Sequence, residues 1–325
     1  MPNSATYENI KIPVPTEGVI RTAAIDDLIA PQNSAQLAVN MNFDQIGTIK
    51  TRLGITSVGS ISGGTVKSFG TYNNSTGTNR LLIQCGTNAT LVYRYNAPNT
   101  LTLVRTLVAT NTKGRYAQFL NYTWMVNGTN GDDVATFNGT SFGTTMIPAN
   151  FPKGDFINAG FDGRVWVAQI ATDTIWFTDI VQFTPPSTYS LTFDETRNFI
   201  KNLSPQDGEY ITGLFEVPRA LLVFKQNHIY RIYGAYSVDP YPAYNVGTYS
   251  QESIVETKNG IYFHHSSGFY QFNYDGQPVE ISKKVIDFVQ AISRSFYESI
   301  SGVWDGYDNI EWSVGEVVVE GVTYN

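Results

Sequence analysis

A repeat of about 40 residues runs along this chain, and it constrains the fold more strongly than any other feature of the sequence. Each unit contains an apolar segment, a polar turn and a second segment that carries aromatic residues. The five units are residues 80–96, 122–138, 164–179, 220–234 and 260–282. When the second segments are aligned, equivalent positions lie 42, 41, 54 and 40 residues apart. Those positions are Tyr95, Phe137, Thr178, Ile232 and Phe272.

A period of this length is typical of a β-propeller. One four-stranded sheet cannot bury both of its faces alone, whereas sheets stacked radially around an axis bury one another's faces. The chain has 14% aromatic and only 15% charged residues, a composition that suits pleated, half-buried strands joined by many turns. We therefore predict an all-β fold, a β-propeller-like ring of about six hairpin blades. A β-sandwich, or two β-domains with chance spacing, is the alternative, since the sequence contains no WD40 pairing and no sialidase box.

The repeat also predicts how the chain is divided. Residues 1–59 form an N-terminal arm with a leading hairpin, and residues 60–325 form the propeller-like domain. A sixth unit begins around Trp312, 40 residues after the fifth aligned position. The sequence ends partway through this unit, so we expect either that an N-terminal strand completes the ring or that the chain is a piece of a longer protein.

One short helix is predicted over residues 282–295. Val285, Val289 and Ile292 fall on one face at helical spacing. Ser282 is a suitable N-cap for this helix.

The single long step of the repeat contains residues 182–208, which we interpret as an inserted surface loop. The segment lacks a clean period and carries the Pro185-Pro186 pair. We expect it to contact a neighbouring subunit or another protein through Pro185, Pro186 and Tyr189, and a disordered loop is the alternative.

Histidine and cysteine offer few candidates for a chemical site. His264 and His265 are adjacent at the end of a predicted strand, where neighbouring side chains point to opposite faces and cannot share one metal ion. The third histidine, His228, lies in another segment, so we predict no metal site and no cofactor. Cys85 lies in an apolar run without a nearby partner, and we predict a buried thiol that forms no intrachain disulfide.

Charge and motifs exclude several function classes. The net charge is −7 and no cluster of lysine or arginine is evident, which argues against a general nucleic-acid binder. The sequence contains no phosphate loop, dinucleotide fingerprint, paired metal-binding histidines or nucleophile elbow. No apolar run approaches the length of a membrane span, and the N-terminus lacks the apolar core of a signal peptide. We predict a protein that is not an enzyme.

A carbohydrate-active or carbohydrate-binding propeller is a rival interpretation. Its stacking residues would be exposed aromatic side chains, such as Trp124, Trp166, Trp176 and Trp304. A glycosidase also needs two carboxylates that face each other across a cleft. The candidates are Asp132, Asp133, Asp162, Asp173 and Asp305. These aspartates lie mostly among Gly, Asn and Thr, where Asp is a turn former.

Two stretches of the chain carry a resemblance to a known family. The first is a pattern in the N-terminal arm, made of Asn40, Asp44, Gly47, Arg52 and Gly54. The second is residues 246–289, in which a hairpin with Gly and Tyr leads to an Ile-Ser pair and a short helix. Both resemble signatures of the tail-hub proteins of short-tailed bacteriophages, which are also called nozzle or head–tail stabilisation proteins. The family's members are commonly longer than this chain.

The resemblance implies a structural virion protein of the tail, made in the host cytoplasm. Such proteins look like β-propellers that assemble with copies of themselves in a ring, often sixfold, below the portal and its adaptor. The ring extends the channel through which the phage DNA leaves, and the five arm residues become interface candidates. A negative wall is compatible with this role because it lets DNA slide without specific binding. The alternatives are a carbohydrate-binding or receptor-binding propeller of the tail tip.

Overall fold

The computed structural model describes residues 41–45, 48–51, 65–96, 100–170, 173–185, 188–200, 203, 207–238, 243–274, 276–306, 309–319 and 322–324. For the first two ranges only the backbone is described. There, β1 (Met41–Gln45) and β2 (Thr48–Thr51) form an antiparallel hairpin, as predicted for the end of the arm.

Five four-stranded antiparallel sheets follow in chain order. The first sheet contains β3 (Thr65–Asn73), β4 (Asn79–Gly86), β5 (Leu91–Asn96) and β6 (Thr100–Thr106). The second contains β7 (Arg115–Phe119), β8 (Tyr122–Val126), β9 (Ala135–Phe137) and β10 (Phe142–Gly143). The third contains β11 (Phe156–Ala159), β12 (Val165–Gln169), β13 (Thr174–Phe177) and β16 (Phe199–Ile200), and between the last two lies a hairpin of β14 (Gln182–Thr184) and β15 (Thr188–Ser190).

The fourth sheet contains β17 (Ile211–Val217), β18 (Ala220–Lys225), β19 (Ile229–Gly234) and β20 (Ser237–Val238). The fifth contains β21 (Val255–Thr257), β22 (Gly260–His265), β23 (Gly268–Phe272) and β24 (Val279–Glu280). A sixth, two-stranded sheet is made of β25 (Ser301–Trp304) and β26 (Ile310–Ser313). The hairpin of β27 (Val317–Val319) and β28 (Val322–Tyr324) packs on the helix α1 (Ile286–Ala291). Short 3-10 turns are Phe161–Gly163, Gln251–Ser253, Lys283–Val285 and Arg294–Ser299.

The sheets form a β-propeller, which confirms the predicted fold class. The first strands of successive sheets contact one another, β3 with β7, β7 with β11, β11 with β17 and β21 with β25, so that these inner strands surround a central axis. The apolar core lies between neighbouring sheets rather than in one central mass. The fourth sheet is covered on both faces, and all six residues of β18 are buried.

The repeat corresponds to the second and third strands of each sheet. Four of the aligned residues lie in the third strands β5, β9, β19 and β23, and the fifth, Thr178, directly follows β13. Trp312 lies instead in β26, the second strand of its sheet, because the helical segment after β24 lengthens the connection.

The predicted helix is shorter than the sequence suggested, and Ser282 stands at the N-cap position of the helical segment without capping it through its side chain. The α-helix covers only Ile286–Ala291, and the residues on either side form 3-10 turns. Ser282 makes no cap hydrogen bond. Its Oγ instead accepts a hydrogen bond from the backbone N–H of Phe269 (3.0 Å), so it anchors the β23–β24 hairpin. Ile292 adopts an extended backbone and forms a bridge with Val317, which ends the helix there.

The inserted segment is only partly a surface loop. The β14–β15 hairpin is exposed, whereas Leu191 is buried and β16 returns as the outer strand of the third sheet. Among the described residues of this segment, the strands β14 and β15 and the turn at residues 195–197 are exposed. Within the described residues, no helix is long and apolar enough to cross a membrane.

Candidate functional site

A cleft of about 690 Å³ brings together the interacting charges of Lys113, Arg115 and Glu252. Its walls come from the inner strands β3, β7 and β25 and from the 3-10 turn Gln251–Ser253, which precedes β21. The cleft is therefore built from the first, second, fifth and sixth sheets. The second and fifth sheets lie three positions apart, so in a six-sheet ring they face each other across the axis.

An ion pair joins these opposite sheets. Arg115, at the start of β7, donates from Nε to Oε1 of Glu252 (3.0 Å). Lys113 Nζ lies 3.0 Å from Oε2 of the same carboxylate, and Ser250 Oγ donates to that oxygen as well (3.1 Å). Both carboxylate oxygens of Glu252 are thus engaged.

Arg115 also ties in the third sheet. Its Nη1 donates to the backbone oxygen of Asp155 (2.8 Å), and its guanidinium carbon lies 4.3 Å from the ring centre of Phe156. A planar guanidinium suits this arrangement, because it can donate in several directions while it stacks on an aromatic face. We call Lys113, Arg115 and Glu252 the axial brace.

The turn that carries Glu252 is fixed by its own hydroxyl groups. Ser253 Oγ donates to the backbone oxygen of Ser250 (2.8 Å), and Thr248 Oγ1 lies 2.9 Å from Ser253 Oγ. These side-chain hydrogen bonds favour a tight turn over continued strand. The turn also contacts the sixth sheet, since Trp312 Nε1 donates to the backbone oxygen of Ser253 (3.0 Å).

Electrostatics favour the ionised form of Glu252. Burial alone would raise its pKa, but the charges of Arg115 and Lys113 outweigh burial and hold the pKa below its ordinary value. For Lys113 the balance is reversed. Burial lowers its pKa more than the single carboxylate of Glu252 raises it, and the charges of Arg115 and Lys67 lower it further. The three side chains of the axial brace are each only about a fifth to a quarter exposed to solvent.

A second charged cluster lies between the third and fourth sheets. Lys225, fully buried at the end of β18, places Nζ 3.0 Å from Oδ2 of Asp207 and 3.2 Å from Oδ2 of Asp173. Burial raises the pKa of Asp173 even though Lys225 opposes the shift. The Lys225 ammonium is therefore the positive partner of both carboxylates. The hydroxyl group of Tyr230 also donates a hydrogen bond to Asp207 (3.1 Å).

Asp207, Glu209 and His228 bring possible metal-ligand atoms within 4.8 Å of one another. Sequence reasoning had set His228 aside as isolated, because the two acids lie 19 and 21 residues before it in an irregular segment. Glu209 already accepts hydrogen bonds from the backbone and side chain of Asn227 and lies 3.1 Å from His228 Nδ1. A metal would also have to share Asp207 with the Lys225 ammonium, so the group is better described as an internal ion-pair network.

The adjacent histidines occupy opposite faces of β22. His264 is buried between the rings of Phe269 and Tyr297, and neither of its ring nitrogens has a hydrogen-bond partner among the described residues. Burial first, and then the charge of His265, lower its pKa to about 4. His265 lies on the other face, with Nε2 3.2 Å from Asn227 Oδ1. The predicted opposite orientation is confirmed.

The structure describes only one of the five arm residues that were predicted as interface candidates. Asn40, Gly47, Arg52 and Gly54 lie outside the described residues, and Asp44 is described only as a backbone position of β1.

Of the insert candidates, Pro186 lies outside the described residues and Pro185 follows β14 in a turn. Tyr189 lies in β15, 42% exposed, and its ring centre is 5.0 Å from that of Phe183, which is 52% exposed. The structure therefore presents an exposed aromatic pair at the predicted contact segment.

The residues proposed for sugar binding do not converge. Trp124 and Trp166 are completely buried between sheets, so the prediction that they are exposed was wrong. They were misassigned because aromatic side chains supply the largest apolar area between blades. Asp132 accepts hydrogen bonds from the backbone N–H groups of Val108 and Ala109, Asp305 accepts from Asn309, and Asp173 is paired with Lys225.

Cys85 is buried and its pKa is raised by burial, as expected for a small apolar residue in the core. The axial brace, by contrast, was missed. Its only sequence signal is that Glu252 falls within residues 246–289, the stretch that resembles the tail-hub signature.

Fold and site define a β-propeller in which partly buried charges link the second sheet to the turn that precedes the fifth. No protein-family model and no curated protein matches the chain. Among solved structures, virginiamycin B lyase from Staphylococcus aureus, in a catalytically inactive form with quinupristin, is similar with a TM-score of 0.47 and 15% identity over 84% of each chain.

A chain of the mitotic checkpoint complex has a TM-score of 0.38 and 10% identity over 70% of this chain and 78% of its own. The WD40 domain of SCAP from fission yeast has a TM-score of 0.33 and 9% identity over 78% of this chain and 63% of its own. Likeness at such identity concerns the fold alone.

Proposed function

We propose that this protein is a structural component of a bacteriophage tail, a hub or nozzle subunit that works by assembling into a ring. The observation that carries the proposal is the coincidence of a propeller fold with two stretches that resemble tail-hub signatures, the arm pattern around Asp44 and residues 246–289. The second stretch contributes Glu252 to the axial brace and the complete fifth sheet to the ring.

The axial brace gives this proposal a specific geometry. Ion pairs between the second and fifth sheets bridge the cleft at the level of Glu252, which suits a propeller that serves as a wall element rather than as the channel itself. A DNA conduit would then lie between several propellers arranged around a common axis, with six copies as the resemblance suggests. The net charge of −7 suits such a wall, because DNA phosphates would be repelled rather than held.

The same site argues for a non-enzymatic role. Glu252 is the most buried carboxylate in the cleft, and its lowered pKa makes it a poor general acid. Both of its oxygens accept hydrogen bonds or ion pairs from the protein, so neither is free to act as a base. Its partners suit a structural brace.

The β14–β15 hairpin is the contact surface that we assign to assembly. All six of its strand residues are exposed, and it presents the tilted aromatic pair Phe183 and Tyr189. Aromatic side chains are enriched at the centres of protein interfaces because they bury a large area with few rotatable bonds.

The proposal is tested by electron microscopy of a phage particle that carries this protein, at a resolution that traces chains. We expect several copies in a ring below the portal and its adaptor. Density in the capsid shell, or in a trimeric fibre far from the tail axis, would overturn the assignment.

A variant without the hairpin tests the contact surface in the purified protein. Gln182 and Ser190 are paired directly, so residues 183–189 can be replaced by Gly-Gly without moving the chain ends. Native mass spectrometry should show loss of the oligomer with an unchanged melting temperature. Tyr233→Ser, which removes a similarly exposed tyrosine from β19, is the control and should assemble normally. Unchanged assembly without the hairpin would count against the contact role.

A further inference from the structure

The outer face of the first sheet, which points away from the second sheet, is apolar and carries several exposed large side chains. Strand register places twelve residues on this face, in three rows across the four strands. The rows are Val66, Cys85, Leu91 and Thr106; Phe69, Ile83, Tyr93 and Leu103; and Thr71, Leu81, Tyr95 and Leu101. None of the twelve is charged, and we call them the bare face.

Exposure on this face is concentrated in the inner strand β3 and the outer strand β6, whereas Ile83 and Cys85 in β4 are buried. Phe69 is 62% exposed, Leu103 48% and Val66 46%. The opposite face of the same sheet is packed, with Leu82 and Val92 completely buried against the second sheet. A contiguous apolar patch of this kind marks a binding surface rather than ordinary solvent-facing strand.

We infer that the bare face is the docking site for the β1–β2 hairpin of the same chain. The hairpin's apolar residues, Met41, Phe43 and Ile49, alternate with polar ones, which is the pattern of a hairpin with one buried face. An isolated two-stranded hairpin is marginally stable in water, so it needs a surface on which to bury that face.

Chain connectivity favours docking within one molecule. Residues 52–64 join β2 to β3, the inner strand of the first sheet, and a connector of 13 residues spans at most roughly 43–47 Å. The four strands of the face are only about 14 Å across at the usual strand spacing, so every part of it is within reach. A short tether also gives a local concentration in the millimolar range, which a second molecule in dilute solution does not match.

The docked hairpin would occupy the gap between the first and sixth sheets. The cleft between them is lined by Val66 and Phe69 on one side and by Ser301 and Gly302 on the other. Val303 of β25 is 62% exposed as well. Docking there would complete the burial of the first sheet, whose other neighbours are already in place.

Disulfide trapping in the full chain tests the inference. In a Cys85→Ser background, Phe43→Cys is combined in turn with Val66→Cys, Phe69→Cys, Tyr95→Cys or Leu103→Cys, and the protein is oxidised at several concentrations. We expect at least one pair to form an intramolecular disulfide whose yield does not depend on protein concentration.

Two matched controls make the result specific. Asn42→Cys replaces Phe43→Cys at the neighbouring polar position, and Val108→Cys replaces the sheet partner with an 88% exposed residue away from the face. Both should trap at least fivefold less. Equal trapping in the controls, failure of all four pairs, or disulfide-linked dimers whose yield rises with concentration would each overturn docking within one chain.

Hydrogen exchange gives a readout that needs no engineered thiol. Phe43→Asp should release the hairpin and raise deuterium uptake in β4 and β5 several-fold, whereas Asn42→Asp should leave uptake unchanged. Identical uptake in the two variants would contradict docking.

Discussion

Substitution of Glu252 by Gln should destabilise the propeller, because it removes the only negative charge of the axial brace and keeps the shape of the side chain. In the native protein Oε1 accepts from Arg115, and Oε2 faces Lys113 and Ser250. The glutamine amide can supply one acceptor oxygen, but its NH₂ group must then face a cation or a hydroxyl donor. Lys113 and Arg115 would be left as neighbouring charges with reduced access to water.

The size of the effect follows from how buried the brace is. Removal of one partner from a fully buried ion pair costs about 3–5 kcal/mol. Here the side chains of Glu252, Lys113 and Arg115 keep 22%, 26% and 19% of their exposure, so water screens part of the loss. We expect a loss of about 2–3 kcal/mol, at or below the lower end of that range. For a domain of this size that corresponds to a fall in melting temperature of roughly 5–10 °C.

Thermal unfolding followed by circular dichroism at pH 7 measures the loss directly. Glu298→Gln is the matched control, because Glu298 lines the same cleft but is exposed. Its substitution should change the free energy of unfolding by no more than about 0.5 kcal/mol.

The pH dependence supplies a second arm of the same experiment. The folded-state pKa of Glu252 lies below the ordinary value of 4.5, so its stabilising contribution is present above pH 4.5 and is lost as the pH falls through the folded pKa. The difference between the natural protein and Glu252→Gln should therefore be constant above pH 5 and shrink as the pH falls below 4.5. A variant as stable as the control at pH 7, or a deficit that does not shrink at all on acidification, would refute the reasoning.

Three further substitutions test other parts of the fold. His264→Phe should reduce the pH dependence of stability between pH 6.5 and pH 4, because the native histidine has a pKa near 4 and resists the protonation that the unfolded chain accepts in this range. Urea titrations should show this, and an unchanged slope would contradict it. Lys225→Met should cost about 3–5 kcal/mol by chemical denaturation, since it leaves two carboxylates without their buried cation, and a loss under 1 kcal/mol would contradict that role. Gly260→Ala should lower the melting temperature far more than Gly77→Ala. Both glycines have positive φ, but of the two only Gly260 would place a Cβ against a backbone oxygen, that of Phe272. Equal losses in the two variants would show that this contact is unimportant.

The sequence predicted the second and third strands of the sheets well, because those strands carry the apolar and aromatic residues of the repeat. It did not predict the inner strands. Strands such as β7 face the axis and a neighbouring sheet, and they combine polar, charged and aromatic residues without a clear period. The helix was overestimated because residues such as Val285 and Phe288 match a helical stripe while Ser282 is used to anchor a hairpin.

The candidate site was beyond the reach of local patterns. Arg115 and Glu252 are ordinary surface-type residues in their own segments, and only the closure of the ring brings them together. Lys225 left a usable signal, a single charge at the end of the otherwise apolar strand β18, which implies a buried partner. The identity of that partner depended on the irregular segment that contains Asp207.

The long sequence separation within the axial brace has a consequence for folding rates. Arg115 and Glu252 are 137 residues apart, and their contact closes only after the second to fifth sheets have taken their places around the axis. A contact that closes so late adds little to the transition state for folding, because the entropy of ordering the intervening chain must be overcome first. Its stabilisation should therefore appear almost entirely as slower unfolding. The brace would govern how long an assembled propeller survives, while local hairpin formation governs how quickly one is made.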